Sequence, residues 1–179
     1  MIFKKFAFAA AVAAASVMAL GAQSDPRVRA PGEWRTWGGD LHNSRYSALD
    51  QINAKNVKDL QVVWRWNATT LDGRPDFNWK STPLMVDGLL YVPTGGNEVA
   101  ALDPATGEQV WLFTPNPRRN GTRPFSGSTR ALSYWTDGKT QRVLNNSVDG
   151  RLYSLDAKTG KLDTSFGKNG FVDLREDLL

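Results

Sequence analysis

The chain has 179 residues, with 22 Lys and Arg against 18 Asp and Glu and a formal charge of +4. Aromatic residues make up 11% of it, too many for a disordered chain. The absence of Cys excludes disulfides, thiolate metal sites and iron–sulfur clusters, and a single His argues against a His-rich metal site. No segment combines a dense run of Lys and Arg with interleaved aromatics, so nucleic-acid binding is disfavoured.

The N-terminus has the pattern of a targeting segment. Lys4 and Lys5 precede an apolar run over residues 6–20, and the small residues Gly21 and Ala22 follow. This order predicts a signal peptide over residues 1–22 and an exported, periplasmic protein. An uncleaved membrane anchor is the alternative, but the run is Ala-rich and shorter than the roughly 20 residues that a spanning helix needs.

After an extended leader over residues 23–33, one short helix is predicted at 53–60, with Asn53 as its cap and Ile52 packed on Val57. The remainder has short runs of β-branched and aromatic residues, which are typical of strands. Asp-Gly pairs at 87–88, 137–138 and 149–150 predict tight hairpin turns of type I′. The predicted strands are 60–66, 84–86, 89–92, 99–103, 109–113, 131–135, 142–146 and 151–156.

An internal repeat is the most informative feature of the chain. The sequence A-L-D-P-A-T-G at 101–107 matches S-L-D-A-K-T-G at 154–160, and an Asp-Gly turn precedes each copy. A unit of about 50 residues with four short strands is a propeller blade. We therefore predict an all-β fold, a β-propeller, of which this chain covers a lead-in and about two four-stranded blades.

The repeated L-D-x-x-T-G has the chemistry of a turn. The Asp and Thr side chains can bond nearby amides, and Gly takes the left-handed conformation. Trp111, four residues after the first copy, is predicted to dock on a neighbouring blade, whereas Thr164 at the matching place in the second copy predicts a weaker or different contact. Because a propeller needs at least about four blades to close, residues 23–179 are expected to be the N-terminal part of a larger propeller domain.

Several motifs together resemble a known family. The sequence W-G-G-D at 37–40 is followed by R-Y-S-A-L-D-Q-I at 45–52, T-P-L-M-V-D-G at 82–88 and R-A-L-S-Y-W at 130–135. In this order they are similar to the start of the pyrroloquinoline quinone (PQQ)-dependent dehydrogenases, the eight-bladed quinoproteins that oxidise alcohols or sugars. The resemblance covers nearly all of 34–174. It implies hydride transfer from an alcohol, polyol or aldose to PQQ beside a bound Ca²⁺, followed by electron transfer to a cytochrome c or ubiquinone.

The resemblance also implies which residues touch the cofactor. Arg130 falls where the family has an Arg that contacts PQQ, and a guanidinium suits its carboxylates. Lys80 stands where methanol dehydrogenases have a Glu near the cofactor, and Ser128 and Thr129 could add hydroxyl contacts. The alternative for Arg130 is a surface salt bridge. The Ca²⁺ ligands and the catalytic Asp are expected in later blades, so no residue here is assigned to either role.

Three hypotheses for the function remain open at this point. The first is an exported dehydrogenase fragment, inactive by itself, and the missing vicinal Cys pair of methanol dehydrogenases favours a sugar or polyol branch. The second is a non-catalytic propeller scaffold of the outer-membrane assembly type. The third is a dehydrogenase-derived chain that has lost catalysis, which the reversed charge at Lys80 favours. Arg130 favours the first, because a scaffold does not need an Arg that binds carboxylates.

Overall fold

The computed structural model describes residues 30–68, 80–115 and 131–176. They form two four-stranded antiparallel sheets, each with its strands in chain order, and this arrangement confirms the prediction of propeller blades. No helix in these ranges is long and apolar enough to cross a membrane. The strands of blade 1 are β1 (Leu84–Val86), β2 (Leu89–Pro93), β3 (Val99–Leu102) and β4 (Gln109–Phe113), and those of blade 2 are β5 (Ser133–Thr136), β6 (Gln141–Asn146), β7 (Arg151–Asp156) and β8 (Phe171–Asp173).

The main core lies between the two sheets. Alternation along the strands points one face of blade 1 at one face of blade 2, and the apolar residues of both faces are buried. Burial of this area is the main stabilising term, at about 25 cal/mol per Å². The members of this cluster are Leu84, Val86, Tyr91, Val99, Ala101 and Trp111 from blade 1, with Leu132, Val143, Leu155 and Ala157 from blade 2.

A tryptophan docked on a glycine joins the two blades. The indole of Trp111 lies so close to Gly160 that a Cβ added there would be 2.5 Å from the ring. Its Nε1–H donates to the carbonyl of Ala157 at 3.1 Å, and the hydroxyl of Tyr91 donates to the same oxygen at 3.2 Å. The predicted docking of Trp111 on a neighbouring blade is therefore confirmed.

The two L-D-x-x-T-G turns have the predicted chemistry. Oδ1 of Asp103 accepts hydrogen bonds from the amides of Thr106 and Ala105, at 2.9 and 2.8 Å, and these bonds lower the pKa of that carboxyl. In the second copy, Oδ1 of Asp156 accepts from the amide and the hydroxyl of Thr159, at 2.8 and 2.7 Å. Gly107 and Gly160 close the turns with φ of +73° and +68°. An ordered turn that ends in a glycine lets the indole of Trp111 pack directly on the backbone at Gly160. We call this contact of a tryptophan with the turn glycine the tryptophan seat.

Only one of the three Asp-Gly pairs forms the predicted type I′ turn. Asp87 and Gly88 both have positive φ, at +48° and +78°. The prediction is wrong at 137–138 and 149–150, where the glycine alone has positive φ. At the first of these, the Asp137 carboxylate accepts from the amides of Lys139 and Thr140, at 2.9 and 2.7 Å, and this local bonding widens the connection.

The lead-in (residues 30–68) differs from its predicted secondary structure. The helix expected at 53–60 is a single 3₁₀ turn, Val57–Asp59, because Oδ1 of Asn53 accepts from the nearby amide of Lys55 and favours a turn. Ile52 and Val57 are both exposed, so the expected packing between them is absent. Residues 60–66 form no strand, because no neighbouring strand lies beside them in the described chain. Their two tryptophans pack instead on the outer face of blade 1, in a cluster of Val92, Ala100, Leu102, Leu90, Trp64 and Trp66.

The fourth strand of blade 2 comes later than the repeat suggests. β4 begins two residues after Gly107, whereas β8 begins at Phe171, eleven residues after Gly160. Residues 161–170 fill the gap, with Leu162 bridging to Leu155 and the amide of Asp163 donating to the carbonyl of Ser154 at 2.9 Å. Thr164 consequently lies in a turn and is exposed, so it is not the counterpart of Trp111 in space.

Substituting Gly160 with Ala tests the tryptophan seat. Both Gly160→Ala and Gly138→Ala force a left-handed alanine, at about 1–2 kcal/mol, but a Cβ at Gly138 meets nothing within 4 Å. We expect Gly160→Ala to lower the free energy of unfolding by about 1–3 kcal/mol more than its control, because the indole must move. Urea titration of both variants measures the difference, and equal losses would contradict the seat.

Candidate cofactor-binding end of the propeller

One of the four predicted site residues lies within the described chain. Lys80 is exposed and enters blade 1 just ahead of Thr82. Thr82 forms a parallel bridge with Ala131, so the chain segments that enter the two blades run side by side. Arg130 precedes Ala131 in the sequence, but Arg130, Ser128 and Thr129 fall outside the described residues.

Buried polar side chains gather at this same end of the sheets, where β1 and β5 begin and β2 and β6 end. Thr94, Asn97 and Glu98 in the β2–β3 loop are 1%, 2% and 4% exposed, and Asn145 of β6 is fully buried. Four of the five buried polar side chains in the described ranges are thus at one end, with Ser154 as the fifth. Burial of polar groups costs free energy unless they are bonded, so this concentration marks the end as a candidate functional region.

Hydrogen bonds join this polar cluster across the two blades. The side-chain amide of Asn145 donates to the carbonyl of Asn97 at 3.2 Å, and the amide of Val148 donates to Oδ1 of Asn97 at 3.3 Å. Oδ1 of Asn145 has no hydrogen-bond partner within the described ranges. The β2–β3 and β6–β7 loops are therefore joined by hydrogen bonds at this end of the sheets.

The carboxylate of Glu98 is shielded by hydroxyls. Thr94 donates to its Oε2 and Thr114 to its Oε1, both at 3.3 Å. No described Lys or Arg forms an ion pair with it. Glu98 is almost fully buried, whereas Lys80 is exposed, so of these two charged side chains it is the ammonium of Lys80 that faces solvent.

Part of the lead-in clamps the inner edges of the two blades together. Trp34 pairs with Met85 of β1 through bonds of 2.7 and 3.0 Å, and the guanidinium of Arg35 lies 5.7 Å from the centroid of the Tyr134 ring on β5. Glu33 accepts from Nε of Arg35 at 2.7 Å and from the amide of Asp87 at 2.9 Å. Partial burial alone would raise the pKa of Glu33, but these bonds outweigh it and the pKa is lowered.

The residues that carry much of the family resemblance are structural. Gly39, with φ of +84°, lies against the indole of Trp34, where an added Cβ would be 3.0 Å from the ring. Oδ1 of Asp40 accepts from the amides of His42 and Ser44 at 2.9 and 3.0 Å and closes the turn. Arg45 then stacks over Trp37 at 4.4 Å from the ring centroid. The W-G-G-D and R-Y-S motifs thus shape the lead-in.

Within 30–68, 80–115 and 131–176, no three His, Cys, Asp or Glu side chains come together as metal ligands. The sequence analysis predicts no calcium ligand in this chain.

Sequence reasoning missed the buried polar cluster of Asn97, Glu98 and Asn145. The hydrophilic T-G-G-N-E run between two apolar strands was the available signal.

Comparison with known proteins agrees with this fold. Residues 34–179 match the family model for the β-propeller domain of PQQ-type glucose, ethanol and alcohol dehydrogenases. The dehydrogenase subunit of a quinone-dependent alcohol dehydrogenase from Gluconobacter oxydans (strain 621H) is 40% identical over 134 residues, which are 74% of this chain and 16% of that protein. Quinoprotein glucose dehydrogenase A of Acinetobacter calcoaceticus is 32% identical in an alignment 175 residues long, which covers 87% of this chain and 22% of that protein.

The similarity extends to solved structures. The crystal structure of quinohemoprotein alcohol dehydrogenase from Comamonas testosteroni superposes with a TM-score of 0.65 and 34% identity, covering 84% of this chain and 20% of that one. The chain therefore belongs to the family of PQQ-dependent dehydrogenase propellers. It spans 16 to 22% of the length of these relatives. The scaffold alternative is not favoured, because the matched family model and these relatives are dehydrogenases.

A pH titration of stability tests the clamp made by Glu33. Because its folded pKa lies below the usual 4.5, the carboxylate stabilises the fold above that pH, and the contribution is lost as the pH falls through the folded pKa. We expect Glu33→Gln to be less stable than the parent chain at pH 7, and the difference to vanish in acid. Urea unfolding from pH 7 to pH 2.5 measures this. Glu108→Gln, at an exposed turn, is the control. A difference in the free energy of unfolding between Glu33→Gln and the parent chain that persists in acid would contradict the stabilising role of the Glu33 carboxylate.

Proposed function

We propose that this chain is the N-terminal part of an exported PQQ-dependent dehydrogenase, which oxidises an alcohol, polyol or aldose by hydride transfer to the quinone. The observation that carries the proposal is the family match over 34–179. It is supported by the end of the sheets where Lys80 and Ala131 enter adjacent blades and where buried polar side chains form hydrogen bonds between the blades. The N-terminal signal pattern at 1–22 supports export to the periplasm.

The side-chain chemistry of Lys80, which the structure describes, and of residues 128–130, which it does not, suits a carboxylated cofactor. When bound, PQQ supplies a quinone carbonyl that accepts hydride. Lys80 offers an exposed ammonium to one of its carboxylates, and Arg130 offers a guanidinium suited to bidentate pairing, with Ser128 and Thr129 as further donors. Glu98 makes its side-chain hydrogen bonds to Thr94 and Thr114 and is almost fully buried, so its carboxylate is not itself a surface contact for the cofactor.

The remaining parts of the machinery are assigned to the rest of the protein. The family resemblance implies three of these parts: a Ca²⁺ beside the quinone, an Asp that takes the substrate proton, and a cytochrome c or ubiquinone as electron acceptor. Between substrate classes, an alcohol is favoured over glucose, because the alcohol dehydrogenase of Gluconobacter is 40% identical and the glucose dehydrogenase of Acinetobacter 32%. The missing Cys pair still argues against the methanol branch.

Substitution of the two predicted cations tests cofactor binding. In the complete polypeptide encoded by the gene, Arg130→Gln and Lys80→Gln should each raise the dissociation constant for PQQ by about tenfold or more, the cost of a lost charged hydrogen bond. Titration of the metal-loaded apoprotein with PQQ, followed by tryptophan quenching, gives the constants. Arg65→Gln and Lys58→Gln, both exposed in the lead-in, are the matched controls. Unchanged constants in the site variants would overturn the assignment.

Activity of the isolated chain is a second test. The 179-residue chain with PQQ, Ca²⁺ and ethanol or glucose should not reduce an artificial dye, because two blades do not close a ring and the residues that the structure describes bring no metal ligands together. Turnover by this chain above a sample lacking substrate would contradict the proposed division between this chain and later blades.

A further inference from the structure

A buried asparagine interrupts an otherwise apolar face between the two blades. The side chains of β6 and β7 that face blade 1 include Val143, Asn145, Tyr153 and Leu155, and all four are buried. The amide of Asn145 donates to the carbonyl of Asn97 in blade 1 at 3.2 Å, whereas its Oδ1 has no hydrogen-bond partner among the described residues. A buried acceptor without a partner lowers stability, so the core alone does not account for an asparagine at this position.

Asn97 makes two directed contacts with blade 2. Its carbonyl accepts the bond from Asn145, and its Oδ1 accepts from the amide of Val148 at 3.3 Å. Asn97 has φ of +64°, a left-handed conformation that asparagine adopts more readily than most residues. Apolar contacts have no preferred direction and tolerate a small displacement of one sheet over the other, whereas hydrogen bonds depend on angle as well as distance. The two asparagines therefore specify how the blades are aligned here.

These hydrogen bonds lie beside the entries of the two blades. Continued by two residues, the β1–β2 register places Thr82 opposite Pro93, the last residue of β2. The β5–β6 register, continued in the same way, places Ala131 opposite Asn146, the last residue of β6. The bridge between Thr82 and Ala131 is thus at the same level of the sheets as the asparagine bonds and one strand nearer to the inner edge.

The tryptophan seats are at the opposite end of the sheets. Trp111 lies on Gly160, beyond the end of β7, and Trp64 makes the same contact with Gly107, beyond the end of β3. At the end where the blades begin, a single backbone bridge would leave the two sheets free to rotate about it. The asparagine bonds add a second point of attachment at that end and remove this freedom.

We propose that Asn97 and Asn145 are positioning residues, which fix the alignment of the two blades at the cofactor-binding end. The role rests on the proposed function, because the segments that they align are the blade entries, one carrying Lys80 and the other following Arg130 in the sequence. Groups that bind a ligand must be held within about 0.5 Å of their productive positions by the residues that support them. The two asparagines support the entries in this way, without touching the cofactor themselves.

Two substitutions in the complete polypeptide encoded by the gene test the role. Asn145→Val matches its apolar neighbours and removes the unpaired acceptor, but it cannot donate to Asn97. Asn97→Gly keeps the left-handed backbone and removes the bond to Val148. We expect each variant to raise the dissociation constant for PQQ about tenfold, measured by tryptophan quenching of the metal-loaded apoprotein. A constant that stays unchanged in both folded variants would overturn the proposal, whatever happens to their urea midpoints, because a purely structural role alters only stability.

Ser154→Ala is the matched control. Its hydroxyl is equally buried and has no partner within the described ranges, but Ser154 alternates with Tyr153 and Leu155 and so faces away from blade 1. This variant should bind PQQ as the parent protein does. An equal rise of the dissociation constant in Ser154→Ala would overturn the proposal, by showing that any change in a buried polar group disturbs the site.

Hydrogen exchange of the apoprotein gives a readout that needs no cofactor. In both asparagine variants the amide of Val148 should exchange about tenfold faster than in the parent, because its contact with blade 1 is weakened or lost. Weaker PQQ binding without faster exchange would overturn the proposed alignment. A parent protein that binds no PQQ would refute the proposed function and the positioning role together, whereas a parent that binds PQQ no more tightly than its asparagine variants would refute the positioning role alone.

Discussion

The contact between an indole and a bare glycine is the constraint on which the described fold depends. It works only if three conditions hold together. The turn must be rigid, which the Asp carboxylates of both repeats ensure by accepting neighbouring amides. The glycine must be left-handed and without a side chain, as Gly107 and Gly160 are. The strand must then deliver a tryptophan whose N–H can reach the carbonyl after the Asp. The apolar core between the blades forms around this fixed point.

The repeat made this part of the fold predictable, because its chemistry is local. Asp, Thr and Gly at fixed spacing specify a turn whatever surrounds it, and both copies fold as expected. Residues 60–66 show the opposite case. Their composition is that of a strand, but a strand exists only with a neighbour, and none is described beside them. At 53–60 the Asn53 side chain bonds a nearby amide, and a tight turn replaces the predicted helix.

The candidate site was predictable only in part, and for a related reason. Lys80 was found because a motif places it, and the structure adds that its strand entry lies beside that of Ala131. The buried cluster of Asn97, Glu98 and Asn145 was missed, because two loops about 48 residues apart in sequence meet only after the blades pack. Sequence periodicity can find a turn, but it does not show which polar loops of successive blades will share a buried hydrogen bond.

The short sequence distance across each tryptophan seat has a consequence for how the protein acquires its structure. Trp64 bonds a carbonyl 40 residues ahead of it, and Trp111 bonds one 46 residues ahead. Each of these two contacts therefore closes within a stretch about as long as one blade, so loop-closure entropy stays modest. Such a chain can assemble progressively from its N-terminus as it emerges, without waiting for distant sequence, which limits the time for which its aromatic surfaces are exposed to aggregation.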